Sequence, residues 1–90
     1  MEHYGNSMKS IDRLIWLDLH LMRCRSAPQH RREILLKMKV DLGAGSYNTL
    51  VRDMDKLKGF GAELVATFGG WYSSSPAFPV TQITLDSEEG

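Results

Sequence analysis

Apolar positions crowd the first third of the chain. Between Ser10 and Arg23 they fall at Ile11, Leu14, Ile15, Trp16, Leu17, Leu19, Leu21 and Met22, wider than the single stripe of a surface helix. A helix is expected over 10–23, with Ser10 as N-cap and Asp12 in the first turn, where a carboxylate suits the helix dipole. So broad an apolar surface is either sandwiched inside the domain or met by a second copy. Ser26-Ala27-Pro28 breaks the chain, and a second helix is expected from about Pro28 to Lys39, Pro being tolerated in a first turn. Ile34, Leu35 and Met38 form its core edge, while Arg31, Arg32, Lys37 and Lys39 point elsewhere. Asp41-Leu42-Gly43-Ala44-Gly45 reads as a turn, with two glycines open to positive φ.

Ser46 then caps a third helix running to about Lys58 and stopping at Gly59 or Gly61. Tyr47, Leu50, Met54 and Leu57 recur at i, i+3, i+7 and i+10, a stripe facing the core. At about 100° per residue the opposite side carries Asn48, Arg52, Asp55 and Lys56, with Thr49 on its shoulder. Beyond Gly61 the period changes. Ala62 to Phe68 reads as a strand, Gly69-Gly70 as a tight hairpin turn and Trp71-Tyr72-Ser73 as the returning strand. Phe78-Pro79-Val80 and Ile83-Thr84-Leu85 read as an extended tail on the core, and Asp86-Ser87-Glu88-Glu89 as the start of a further helix.

Ninety residues make one small domain, and the 42% apolar and 24% charged fractions exclude a disordered chain. The expected layout is a leader over 1–8, a domain over 9–85, and a linker or truncated helix over 86–90. The single cysteine, Cys24, permits no intrachain disulfide and suits a reducing, cytoplasmic setting, close to the nucleoid if the partner is DNA. Asp18 and His20 interrupt the apolar run 14–22, so nothing approaches the roughly 18 residues of a membrane span. Net charge is zero but unevenly spread. All eleven Lys and Arg lie within 1–60, a net of +4, and 61–90 is −4. The window 23–39 holds six cations against Glu33 alone. Screening over about 8–10 Å lets such a stripe meet phosphates despite distant acids, though a solvated helix face has the same composition.

Three helices followed by a two-stranded hairpin is an α+β layout, that of the winged helix-turn-helix, which serves both DNA-binding and protein-binding modules. Ser46-Tyr47-Asn48-Thr49-Leu50-Val51-Arg52-Asp53-Met54-Asp55-Lys56-Leu57, followed by Gly61-Ala62, resembles the recognition-helix signature of DeoR-like transcription regulators that carry a C-terminal WYL domain. Gly69-Gly70-Trp71-Tyr72 resembles their Gly-Gly-Tyr wing, and Phe78-Pro79-Val80 with Thr84 to Glu89 resembles their linker. The resemblance covers roughly residues 9–89. It implies the DNA-binding head of a bacterial regulator, with an effector domain C-terminal to this chain; the broad apolar surface of the first helix adds the expectation of a homodimer. Asn48 stands where the family usually has Arg, the turn before Ser46 is about three residues longer, and the wing carries no Lys or Arg.

The residues themselves support the same chemistry. A major groove about 12 Å wide admits one helix, read by its N-terminal turn and outward face. On helix 46–58 the candidate contacts are Ser46, Tyr47, Asn48, Thr49, Arg52 and Lys56. Asn48 can pair bidentately with adenine, Thr49 can bond a base edge or phosphate, and Arg52 can do either. The amides near Ser46 suit a phosphate oxygen. Arg31, Arg32 and Lys37 would lie across the backbone and set register. Against this, Asn48 can be merely solvated, Arg52 can pair with Asp53 or Asp55, and Trp71-Tyr72 can pack rather than stack on bases. His20 and Cys24 share a helix face, but two ligands make no metal site. No catalytic arrangement and no cofactor motif is found. The alternative is an assembly module using the wide face of the first helix and the uncharged wing.

Overall fold

In chain order the elements are α1 (Ser10–Arg23), α2 (Arg31–Leu42), α3 (Tyr47–Gly59), β1 (Leu64–Thr67), β2 (Gly70–Ser73) and α4 (Pro79–Glu89). This α+β arrangement of four helices and one two-stranded antiparallel sheet comes from a computed structural model that describes residues 10–89. The leader expected over 1–8 lies outside the described residues. Helix α1 spans the expected range and is the sandwiched element: α3, α4 and β2 all pack against it. Leu14, Leu17, Leu21 and Met22 are buried, and only Ile11 among its large apolar side chains is exposed. The breadth of its apolar surface is thus used within the chain. No helix among the described residues is long and apolar enough to cross a membrane.

Helix α2 is displaced from the expected 28–39. Its N-cap is His30, and the Glu33 carboxylate accepts from the His30 N–H at 2.9 Å. Pro28 stays outside because Gln29 is needed elsewhere: it forms an antiparallel bridge with Trp71, exchanging backbone hydrogen bonds in both directions. At the other end α2 continues to Leu42 and closes on Gly43, whose φ of 74° is the left-handed cap that glycine adopts without strain. Helix propagation therefore absorbs Asp41 and Leu42 from the expected turn. Ile34 and Met38 are buried as the pattern required.

In α3, Ser46 is the N-cap, and Leu50, Met54 and Leu57 are buried on the core stripe. Tyr47, expected on that stripe, is exposed instead. It sits at the helix start, with its ring beside Arg31 at the start of α2.

The hairpin is shorter than expected and its turn lies one residue earlier. Leu64 pairs with Ser73 and Thr67 with Gly70, so Phe68-Gly69 is the two-residue loop. Thr67 braces it, its Oγ1 donating to Gly70 O (2.8 Å) and accepting from Gly69 N–H (3.2 Å). Gly70 belongs to β2 because the backbone needs it there. Its φ is 131°, and a Cβ would stand 2.2 Å from the Gln29 carbonyl carbon.

The extended tail expected beyond Phe78 is a helix. Strand-favouring residues Val80, Thr81, Ile83 and Thr84 argued for extension, but a tertiary contact decides otherwise. Asp18 of α1, fully buried, accepts from the N–H groups of Ala77 (2.8 Å) and Phe78 (3.0 Å) and from the Thr81 hydroxyl (2.5 Å). A carboxylate at that point ties down the two residues that lead into the helix and complements the helix dipole. An Arg23–Glu88 ion pair holds the far end of α4 to α1. Residues 86–89 continue α4 without a break.

Candidate nucleic-acid interface

Helix α3 is fixed in rotation by its buried carboxylate. Asp53 is 1% exposed and takes a two-pronged bond from Arg13 of α1, Nε to Oδ2 at 2.5 Å and Nη2 to Oδ1 at 3.2 Å. The hydrogen bond to Asp53 raises the Arg13 pKa above its ordinary value. With Asp53 turned inward, Asn48, Arg52, Asp55 and Lys56 are all exposed. Asp53 is therefore not the partner of Arg52. Asp55 pairs with Lys58 at 3.5 Å, and Arg52 makes no ion pair among the described residues.

Ser46 and Thr49 are engaged with each other. Ser46 Oγ accepts from Thr49 N–H at 3.2 Å and donates to Thr49 Oγ1 at 2.9 Å. Ser46 thus works first as a cap, and Thr49 retains acceptor capacity toward solvent. Lys56 stands on another flank, where it lines a largely apolar groove with Ile11, Leu14 and Phe60.

Arg31 joins three elements. Its guanidinium carbon lies 5.6 Å from the centroid of the Tyr47 ring and 5.6 Å from that of Trp71, within the range where a cation is drawn to an aromatic face. The start of α2, the start of α3 and strand β2 meet there. They enclose an open cleft of about 530 Å³ lined by His30, Arg31, Arg32, Glu33, Tyr47 and Trp71. Arg32 is exposed on its rim, and Lys39, about two turns along, shares that exposed side of α2. Lys37 does not come to this cleft. It pairs with Asp41 at 3.4 Å, and Asp41 accepts from Trp16 Nε1 at 3.0 Å, so Lys37 lies on the flank turned to α1.

Trp71 and His30 line the cleft and Arg13 holds Asp53, places that the pattern of residues along the chain does not assign to them. The signal for Asp53 was present: it is three residues after Leu50 and four before Leu57, which is the core side of a helix. Trp71 gave no such signal, because its place in the cleft depends on the Gln29 bridge.

His20 and Cys24 are structural. His20 stacks on Trp16 (4.9 Å, 7° between planes), and its Nε2–H donates to Gln29 Oε1 at 2.8 Å. Burial lowers the His20 pKa, more than the Gln29 bond raises it. Cys24 is buried, and desolvation raises its thiol pKa. No group of three or more potential metal ligands occurs among the described residues. Compared with known proteins, the chain matches no family model, no curated protein and no solved structure.

Proposed function

We propose that this chain is a winged helix-turn-helix domain that binds double-stranded DNA in transcriptional control, with α3 in the major groove. The observation that carries the reading is the convergence at Arg31. The N-terminal ends of α2 and α3 and strand β2 open on one cleft, and the outer face of α3 beside it offers Asn48 and Arg52 free of ion pairs among the described residues. Two helix N-termini with an arginine between them suit phosphate oxygens. An exposed Asn and Arg one turn apart suit base edges. Gln29, joined to β2 by a one-residue bridge, ties the hairpin to the segment just before α2.

In this arrangement Arg31 and Arg32 contact the DNA backbone from the cleft, and Asn48 and Arg52 read bases. Ser46, Tyr47 and Thr49 shape the end of the reading helix. Lys37 and Lys56 contribute only to the wider field. A homodimer would set two such helices in successive major grooves about 34 Å apart, with any effector domain following α4.

Fluorescence anisotropy with short duplexes at several salt concentrations tests the reading. Neutralising Z phosphates lowers log K with log salt at a slope of about −0.9Z, so Arg31 and Arg32 together predict a slope of about −2 or steeper. Binding that ignores salt would end the proposal. The rival reading, a protein-assembly module, is favoured by Leu36 and Val40, exposed one turn apart on α2. Sedimentation combined with a failure to retain any duplex would select it.

A further inference from the structure

Phe68 is 103% exposed at the tip of the hairpin, and nothing in the fold accounts for it. The loop that carries it is short and braced by both hydrogen bonds of Thr67, so the ring is presented by a stiff support. Residues 64–73 contain neither an acid nor a base. The tip thus has no cation for the phosphates and no acid to repel them. Its neighbours Ala66, Thr67 and Gly69 are small and exposed, so Phe68 projects as a single ring.

We infer that Phe68 is an apolar wedge for the DNA minor groove, entering beside the major groove occupied by α3 and partly unstacking a base step. The inference rests on the DNA-binding reading and adds how the uncharged hairpin takes part in it. Shape selects the partner. A protein surface needs roughly 800 Å² from each side, whereas one Phe supplies about 150–250 Å² and stands alone. A minor groove only about 6 Å wide takes a lone ring flanked by small residues, and Phe is among the side chains that enter base steps and kink the duplex by 20–90°. Position agrees. Trp71, on the same hairpin, lines the Arg31 cleft, and at about 3.4 Å per strand residue Phe68 stands roughly 7–10 Å farther out.

The test uses the full 90-residue chain and duplexes of about 30 base pairs recovered by the wild type from a random pool, end-labelled for energy transfer. The wild type shortens the end-to-end distance, as a bend requires. Phe68→Ala loses about tenfold or more in affinity together with most of the bend. Its slope of log K against log salt is unchanged, because an apolar ring releases no counterions. Phe68→Leu retains most of both effects, and the melting temperature of either variant is that of the wild type because the ring packs on nothing. Equal affinity and equal bend for wild type and Phe68→Ala would overturn the wedge while leaving DNA binding intact, and would assign the tip to a protein contact. An unbent wild-type complex would overturn it as well. If the wild type recovers no duplex at all, the DNA-binding reading itself falls, and the wedge with it.

Discussion

Arg52 and Arg13 have the same side chain and opposite tasks. Arg13 spends its guanidinium on the buried Asp53 carboxylate, whereas Arg52, one residue before Asp53, is exposed and makes no ion pair among the described residues. Breaking a buried pair by removing one partner costs about 3–5 kcal/mol, so variants of Arg13 report on folding. On the proposed DNA-binding reading, variants of Arg52 report on binding. Arg52→Ala is expected to weaken a selected duplex by about 1–3 kcal/mol with no change in melting temperature. An equal loss on every duplex sequence, measured by competition titration, would make Arg52 a phosphate contact rather than a reader of bases. The two buried aspartates also show what the chain makes visible. Asp18 has Leu14 four residues before and Leu21 three after, and Asp53 has Leu50 three before and Leu57 four after. Periodicity alone puts both on core faces, although their partners, Ala77 and Thr81 for one and Arg13 for the other, lie 40 or more residues away.

At the scale of elements, α4 depends most on its surroundings. It contains Val80, Thr81, Ile83 and Thr84, residues that read as extended, and it forms because Asp18 anchors Ala77 and Phe78, which lead into it, together with the Thr81 hydroxyl. Asp18→Asn replaces a carboxylate that accepts three hydrogen bonds by an amide with one acceptor oxygen. Buried donors left unsatisfied cost about 1–3 kcal/mol each. The expected loss is about 2–4 kcal/mol, a melting temperature lower by at least about 8 °C for a domain of this size, and less helix by circular dichroism. Unchanged helicity with a shift under about 2 °C would show that α4 needs no such cap. The limits of α2 follow the same logic at smaller amplitude. The bridge between Gln29 and Trp71 delays its start to Arg31, and Gly43 stops it only after Leu42.

For the molecule as a whole, α1 is the spine and the Gln29 bridge joins the hairpin to the segment between α1 and α2. The His20 side chain reaches Gln29, so imidazole protonation bears on the same junction. Burial holds the folded pKa of His20 below the ordinary value of about 6.5. The unfolded chain therefore binds the proton first as pH falls. This contribution to stability is complete above about pH 6.5 and is lost as pH drops through that value toward the lower folded one. Urea unfolding at pH 7.5 and 5.5 should give a lower midpoint at 5.5. In His20→Gln the drop should shrink, and an equal drop in both proteins would remove His20 from the account. The amphipathic periods of α1 and α3, the cap at Ser46, the hairpin and the basic window were all determined by residues close in the chain, because helix faces, caps and two-residue turns are set by neighbours within about four positions. The helical state of α4, the delayed start of α2 and the setting of Arg31 between Tyr47 and Trp71 were decided only by tertiary structure. Each depends on a group many positions away whose contact outweighs a local preference of a few tenths to one kcal/mol per residue.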